Sequence, residues 1–138
     1  TTRTRKGGNM AKKILIIDDD EDFVEATKIF LEAKKFEVIT APNGKEGLSK
    51  MKNELPNLIL LDVMMTTRSE GFDVSREISN NEKFKKIPVI MMTGISKEMN
   101  LSFGFNPDKD WLPVSKFLEK PVDLENLLHE INNLLQIT

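Results

Sequence analysis

Three short, unbroken apolar runs constrain the fold of this chain most strongly. They are KKILII (12–17), NLILLD (57–62) and IPVIMMT (87–93). A strand with one solvent-facing side alternates apolar and polar residues, whereas a strand covered on both sides does not. These runs are therefore predicted to be central strands of a parallel sheet with helices on both of its faces.

The segments between these runs complete an alternating pattern. Two further strands are predicted at FEVITA (36–41) and, more weakly, at VSKFLE (114–119). Helical periodicity is present at 21–35, where Phe23, Ala26 and Phe30 are predicted to share one face, and at 123–136, where Asp123 is the predicted cap. Strands and helices alternate about five times, which predicts a three-layer, doubly wound α/β fold with a five-stranded parallel sheet.

Two more helices are predicted between the strands. Asn43 and Glu46 resemble a capping box that opens a helix to about Asn53. A further helix is expected from Phe72 to about Asn80, with Val74 and Ile78 facing inward. These helices would cover the apolar strands that precede and follow them.

Composition excludes several classes of site. The 138 residues suit one domain, placed at 11–138, while 1–10 (TTRTRKGGNM) is predicted to be a loose tail or a cloning remnant, with a native basic arm as the alternative. No cysteine is present, which excludes disulfides and zinc–thiolate sites, and the single histidine, His129, excludes a His-rich metal site and is predicted to face solvent. A net charge of −2 and the lack of a basic stripe beyond the first six residues predict that this domain binds no nucleic acid. No apolar run has the length of a membrane span, so no membrane partner is expected.

Polar side chains follow four of the predicted strands. Asp18 and Asp19 follow the first, Asp62 ends the third, Thr93 ends the fourth and Lys120 follows the fifth. In open α/β sheets the functional crevice lies beyond the carboxyl ends of the strands. These residues are therefore predicted to lie close together.

Such a group of side chains suits phosphoryl transfer. Carboxylates in one pocket repel each other, and a hard divalent cation relieves that repulsion. Oxygen ligands without histidine or cysteine suit Mg²⁺. The ammonium of Lys120 and the hydroxyl of Thr93 would hold the oxygens of a phosphoryl group, and one carboxylate would act as nucleophile to form an aspartyl phosphate.

Four motifs occur in one order: ILIIDDD, LILLDVMM, PVIMMTG and FLEKPVD. Together they resemble the receiver domain of bacterial two-component response regulators, the CheY-like superfamily, over about residues 12–137. The resemblance implies a flavodoxin-like sheet with strand order 2-1-3-4-5. It also implies a cytoplasmic regulatory domain that is phosphorylated by a histidine kinase and turns over no external substrate.

The resemblance implies a role for each site residue. Asp62 is expected to accept the phosphoryl group, and Asp18, Asp19 and Asp62 to bind Mg²⁺ with the backbone carbonyl of Met64. Lys120 is expected to bind the phosphoryl group and to precede a cis peptide bond.

Two further roles concern the switch. Thr93 is expected to bind the phosphoryl group and, with Phe117 at the position of the family's switch aromatic, to couple phosphorylation to the output face. The output partner, homodimerisation on phosphorylation, and whether the chain is a stand-alone receiver or part of a longer regulator are left open.

The sequence departs from the family pattern after Asp62. Thr66 stands where a proline is usual, and Gly71 comes one residue late, so a longer loop is expected. Met64 and Ile95 are apolar at positions that in receivers influence the water attacking the phosphoryl group. Phosphorylated Asp62 is therefore predicted to persist, and Met64→Asn to accelerate its decay.

A second departure is the long segment between Thr93 and Lys120, at 94–119. Gly104, Pro107 and Pro113 predict that any helix there is short. Its aromatic residues would either form a docking patch or, as we favour, pack the segment onto the sheet; they are Phe103, Phe105 and Trp111.

Other interpretations compete with the receiver. Asp-x-Asp after a strand resembles haloacid-dehalogenase-type phosphatases with Asp18 as nucleophile, but Asp22 does not fit that pattern and Asp62 would have no role. A receiver-like binding scaffold that is never phosphorylated is a third interpretation. The acidic residues at 20–22 are explained by the helix that begins there, since negative charge interacts favourably with the dipole at a helix N-terminus.

Overall fold

The computed structural model of the chain describes residues 11–62, 70–93 and 116–136. In chain order, the elements in these ranges are β1 (Lys13–Ile17), α1 (Glu21–Ala33), β2 (Glu37–Ala41), α2 (Gly44–Glu54), β3 (Leu58–Asp62), α3 (Glu70–Ser79), β4 (Val89–Thr93), β5 (Lys116–Glu119) and α4 (Leu124–Leu135).

The five strands form one parallel sheet in the order β2-β1-β3-β4-β5. The register pairs Ile17 with both Ala41 and Leu61, and Asp62 with Met92. Because all strands run in one direction, their carboxyl ends meet at one edge of the sheet. The predicted fold class and strand order are confirmed.

The central strands are buried on both faces, as their unbroken apolar sequences predict. Ile14 to Ile17 and Leu58 to Leu61 have no exposed surface. β4 begins at Val89 and not at Ile87, since the Ile87 amide donates to the Phe84 carbonyl and Pro88 has no amide hydrogen to give to a ladder.

Two apolar layers cover the sheet. On one face, α2 and α3 pack against alternate strand residues through Met51, Val74 and Ile78. On the other face, α1 and α4 pack through side chains that include Leu31, Leu127 and Ile131. Val74 and Ile78 are 4% and 2% exposed, which confirms the inward face predicted for α3.

The helix starts follow their capping residues. Asp20, Asn43 and Asp123 are the N-caps of α1, α2 and α4, and each side chain accepts backbone amide hydrogens of the first turn. The predicted caps at Asn43 and Asp123 are confirmed. α3 begins at Glu70, two residues before the predicted start, so Gly71 lies in its first turn.

The inward face of α1 differs from the prediction. Phe23 and Phe30 pack against the core, but Ala26 is exposed, and the fully buried positions are Thr27 and Leu31. A helix turns by about 100° per residue, so Ala26 lies outside a stripe centred on Thr27 and Leu31. The predicted face is therefore wrong for Ala26.

Polar contacts hold the amino end of the sheet. The Lys13 ammonium lies 3.1 Å from a carboxylate oxygen of Glu54 and 3.9 Å from one of Glu37. The Lys13 amide donates to the Asn57 side chain at 2.7 Å, and the Asn57 amide donates to the Lys13 carbonyl at 2.8 Å. Lys13 thus connects β1 to β2, to the end of α2 and to the start of β3.

The surface agrees with one prediction from the sequence. His129 is exposed on α4, as predicted. Among the residues that the structure describes, no helix combines the length and the apolar character that a membrane span requires.

Candidate functional site

Three carboxylates meet at the carboxyl edge of the sheet. Asp18 follows β1, Asp19 follows Asp18, and Asp62 is the last residue of β3. One oxygen from each lies within 4.8 Å of the others. Asp18 is 2% exposed and Asp62 is 5% exposed, while Asp19 is open to solvent. The parallel fold therefore brings together the acidic residues that the sequence predicts.

Asp18 is held through both of its carboxylate oxygens. Oδ1 accepts the Asp20 amide hydrogen at 2.9 Å, and Oδ2 accepts from the Lys120 ammonium at 2.9 Å. The Asp18 amide also donates to the Ala41 carbonyl at 3.0 Å. These bonds offset the desolvation of a buried carboxylate and fix its orientation.

Lys120 lies between two acidic strand ends. Its ammonium is 2.9 Å from Asp18 Oδ2 and 3.7 Å from Asp62 Oδ2. Lys120 and Asp18 are 102 positions apart in the sequence. Burial lowers the pKa of Lys120, but the hydrogen bond that its ammonium donates to Asp18 and the charges of Asp18, Asp62 and Asp20 outweigh burial and raise that pKa above its ordinary value of 10.5. Lys120 therefore keeps its positive charge at neutral pH.

An aromatic ring completes the surroundings of Lys120. The ammonium lies 5.0 Å from the centroid of the Phe23 ring, within the range of a cation–π interaction. Sequence reasoning did not place Phe23 in the site. The available signal was its position three residues after the N-cap Asp20, which puts it in the first turn of α1 beside the acidic residues.

Asp20 makes more contacts near the site than the sequence predicts. Its side chain caps α1 by accepting the Phe23 amide hydrogen at 3.2 Å, and its amide donates to Asp18. The helix dipole alone therefore does not account for Asp20. It links the acidic site to the first turn of α1.

The site has the composition of a site for a hard divalent cation. Three carboxylates and one ammonium carry a formal charge of −2, which a divalent cation would offset. All candidate side-chain ligands are oxygen atoms, which is the ligand set that Mg²⁺ prefers. The residues present thus fit Mg²⁺.

Other predicted site features are described only in part. The Lys120–Pro121 peptide bond is cis, as expected. Thr93 ends β4 and pairs with Glu119, and Phe117 pairs with Met91, but only the backbone of Thr93 and Phe117 is described.

Several predictions lie outside the described residues. They concern the tail at 1–10, the loop after Asp62, and the segment at 94–115, and the residues named in them are Met64, Thr66, Ile95, Phe103, Gly104, Phe105, Pro107, Trp111 and Pro113.

Comparison with known proteins supports one family. Residues 14–132 match the family model of the response regulator receiver domain. Protein PilH of Pseudomonas aeruginosa is 31% identical over 123 residues, which cover 89% of this chain and 97% of PilH. The crystal structure of a CheY-like response regulator receiver domain protein from Methanospirillum hungatei superposes with a TM-score of 0.77 at 32% identity, covering 91% of this chain and 94% of that chain.

Longer relatives match over part of their length. The alkaline phosphatase synthesis transcriptional regulatory protein PhoP of Bacillus subtilis is 32% identical over 114 residues, which cover 83% of this chain and 46% of PhoP. This chain thus spans about half the length of that relative. The sequence motifs, the strand order and the family match agree, and the chain belongs to the response regulator receiver domain family.

Proposed function

We propose that this chain is a cytoplasmic phosphoacceptor domain in which Asp62 receives a phosphoryl group from a histidine kinase in a Mg²⁺-dependent reaction. The observation that carries this proposal is the cluster at the sheet edge. Asp18, Asp19 and Asp62 have oxygens within 4.8 Å of one another, and the Lys120 ammonium is 3.7 Å from Asp62. Family membership supports the same function.

Asp62 is the preferred nucleophile among the three carboxylates. Both oxygens of Asp18 already accept hydrogen bonds, and Asp19 is exposed on the segment that leads into α1. Asp62 lies at the end of a buried strand, beside the charge of Lys120. This geometry disfavours the phosphatase alternative, which requires Asp18 as nucleophile.

The transfer needs little chemistry beyond positioning. An oxygen of Asp62 forms the new bond to phosphorus while the phosphorus–nitrogen bond of a phosphohistidine breaks, and the imidazole leaves with the bonding electrons. Lys120 offsets the negative charge that this reaction brings to the site. When bound by Asp18, Asp19 and Asp62, Mg²⁺ would supply charge neutralisation for the carboxylates and the phosphoryl oxygens.

The switch is part of the proposal. Thr93 would bind the phosphoryl group from the end of β4, and Phe117 on the adjacent β5 would respond to the change at Thr93. The Met64 carbonyl is proposed as a further ligand of Mg²⁺. The consequence would be a shifted population at the face used by a partner or output domain.

A relative of this chain is named as a DNA-binding dual master transcriptional regulator, RpaA of a Synechocystis strain, and this chain covers 50% of its length. Absence of nucleic acid binding by this domain therefore stays a prediction. Homodimerisation on phosphorylation likewise stays open.

Chemical phosphorylation tests the proposed acceptor. Incubation with acetyl phosphate and MgCl₂ should label the protein on Asp62, and borohydride reduction followed by peptide mass spectrometry locates the modified aspartate. Asp62→Asn should abolish labelling, whereas Asp123→Asn, which changes a capping aspartate on α4, should not.

Other results would decide between the alternatives. A label on Asp18 would favour the phosphatase interpretation. Mg²⁺ binding without any label would favour a receiver-like scaffold that is never phosphorylated.

A further inference from the structure

We propose that Phe23 is a positioning residue that keeps the Lys120 ammonium at the acidic end of the sheet, ready to meet a phosphoryl group on Asp62. The proposal concerns a contact in the chain itself, and its consequence for phosphoryl transfer rests on the proposed function of Asp62. Phe23 would contact neither the phosphoryl donor nor Asp62, and would act only through Lys120.

Among the described residues, two carboxylates and one aromatic ring lie near the ammonium. Asp18 Oδ2 accepts a hydrogen bond at 2.9 Å, Asp62 Oδ2 lies at 3.7 Å, and the centroid of the Phe23 ring lies at 5.0 Å. A lysine side chain has a flexible four-carbon stem, so its head group is fixed only by such contacts. The described ion pairs join the ammonium to one oxygen of Asp18 and one oxygen of Asp62. The negative face of the Phe23 ring adds a further attraction.

The ring is itself held in place. Phe23 packs against the core layer formed with α1 and α4, and its amide donates to the Asp20 side chain at 3.2 Å. The Asp20 amide donates to Asp18, the same carboxylate that pairs with Lys120. The ring, the carboxylate and the ammonium therefore form one connected unit at the start of α1.

A ring contact suits a lysine that must change partners. In the structure Lys120 is closer to Asp18 than to Asp62. To neutralise a phosphoryl group on Asp62, the ammonium must move from the first carboxylate towards the second. A hydrogen bond is lost in such a movement because it is directional, whereas a broad ring face continues to attract the cation as it shifts.

The test changes the charge distribution of the ring and leaves its shape nearly constant. Phenylalanine at position 23 is replaced with analogues that carry one, two or three fluorine atoms, which progressively weaken the negative ring face. The rate of labelling by acetyl phosphate should fall stepwise, by about two- to fivefold across the series, which is the range expected for a partly exposed cation–π interaction. Acetyl phosphate is used because a small donor needs no contact with α1 beyond the site.

The chain provides a matched control. Lys34 lies 5.4 Å from the centroid of the Phe30 ring, on the same helix and away from the carboxylates. Fluorination at Phe30 weakens this equivalent contact and should leave labelling unchanged. In a Lys120→Gln background, fluorination at Phe23 should also have no effect on labelling.

A second readout separates this proposal from the proposed function. NMR relaxation of the Lys120 side chain, measured without any phosphoryl donor, should show a progressively more mobile Cε as fluorine atoms are added at Phe23. If Asp62 is never labelled, the proposed function fails, and the mobility series alone then supports or overturns positioning. Unchanged mobility across the series overturns positioning, as does an equal loss of labelling in the Lys120→Gln background.

Discussion

Lys120 carries its charge in surroundings where burial alone would favour the neutral amine. The raised pKa results from the carboxylates of Asp18, Asp62 and Asp20, which outweigh that burial. A group whose pKa is higher in the folded state stabilises the fold below its ordinary pKa, and this contribution is lost as pH rises through the folded pKa. The contribution of Lys120 should therefore be constant from neutral pH to about pH 10 and decline above the ordinary value of 10.5.

Replacement of Lys120 by methionine tests this dependence. At pH 7, Lys120→Met should lower the free energy of unfolding by about 3 kcal/mol, because it removes the positive charge that lies beside the buried carboxylates of Asp18 and Asp62. The difference between wild type and variant should shrink as pH rises above 10.5, since the wild type then loses its ammonium too. Urea unfolding of both proteins from pH 7 to 11 measures the difference, in which the titration of all other lysines cancels. A difference that does not change over this range would contradict the role assigned to Lys120.

At the scale of elements, α2 packs unusually close to β1. A Cβ atom at Gly47 would clash with Ile17 Cδ1 and lie 2.8 Å from Ile17 Cγ1, and Ile17 is completely buried. Glycine is thus required at this helical position by the close approach of the helix to the sheet. Ile17 is also the last residue of β1, directly before Asp18, so this packing supports the strand end that carries the site.

Gly47→Ala should therefore destabilise the protein. Alanine is the better helix former by about 1 kcal/mol, but overpacking against Ile17 should cost about 1–3 kcal/mol, outweigh that gain and leave a net cost of up to about 2 kcal/mol. Chemical denaturation measures the cost. Ser49→Ala, an exposed substitution in the same helix, should change stability by less than about 0.5 kcal/mol.

A second variant separates the clash from other effects of alanine. Ile17→Ala should be destabilising alone, yet the double variant should cost less than the two single changes together, because the new methyl group then occupies vacated space. A Gly47→Ala protein as stable as wild type would show that the helix moves without cost.

The sequence predicts the elements that depend on local patterns. Unbroken apolar runs identify β1, β3 and β4, and short polar caps identify the starts of α2 and α4. Topology then places Asp18, Asp19, Asp62 and Lys120 together, because parallel strands end at one edge.

Contacts between distant segments are not predictable in this way. The placement of the Phe23 ring against Lys120 depends on how the first turn of α1 faces the residue after β5. Ala26 was assigned to the wrong face because the aromatic rings at Phe23 and Phe30 flank the buried stripe and do not lie at its centre. Spacing shows which residues share a helix face, but tertiary packing decides which face is buried and which ring meets Lys120.

For the whole molecule, the site accounts for the net charge. The chain has 20 basic and 22 acidic residues. One basic residue, Lys120, and three acidic residues, Asp18, Asp19 and Asp62, lie in the site, so 19 residues of each sign remain elsewhere. The formal charge of −2 therefore equals the summed charge of these four side chains. A bound divalent cation would leave the folded protein formally neutral.

Magnesium should accordingly stabilise the folded protein. At a Mg²⁺ concentration about 100 times the dissociation constant, the gain is about 2.7 kcal/mol if the unfolded chain does not bind the ion. Thermal unfolding at constant ionic strength, with and without MgCl₂, measures this gain as a higher Tm. Asp19→Asn should reduce the effect of Mg²⁺, and Asp123→Asn should not. Equal shifts in the two variants would indicate nonspecific screening.

The contacts of Lys13 limit how a signal can leave the acidic edge. Lys13 ties the base of β1 to Glu37, Glu54 and Asn57, and a slip by one residue would turn every buried side chain of β1 towards the opposite layer. A shift of register is therefore disfavoured when charge is added at the strand tips. A response to that charge is then expected as reorientation of side chains at the strand ends, with the register of the sheet unchanged.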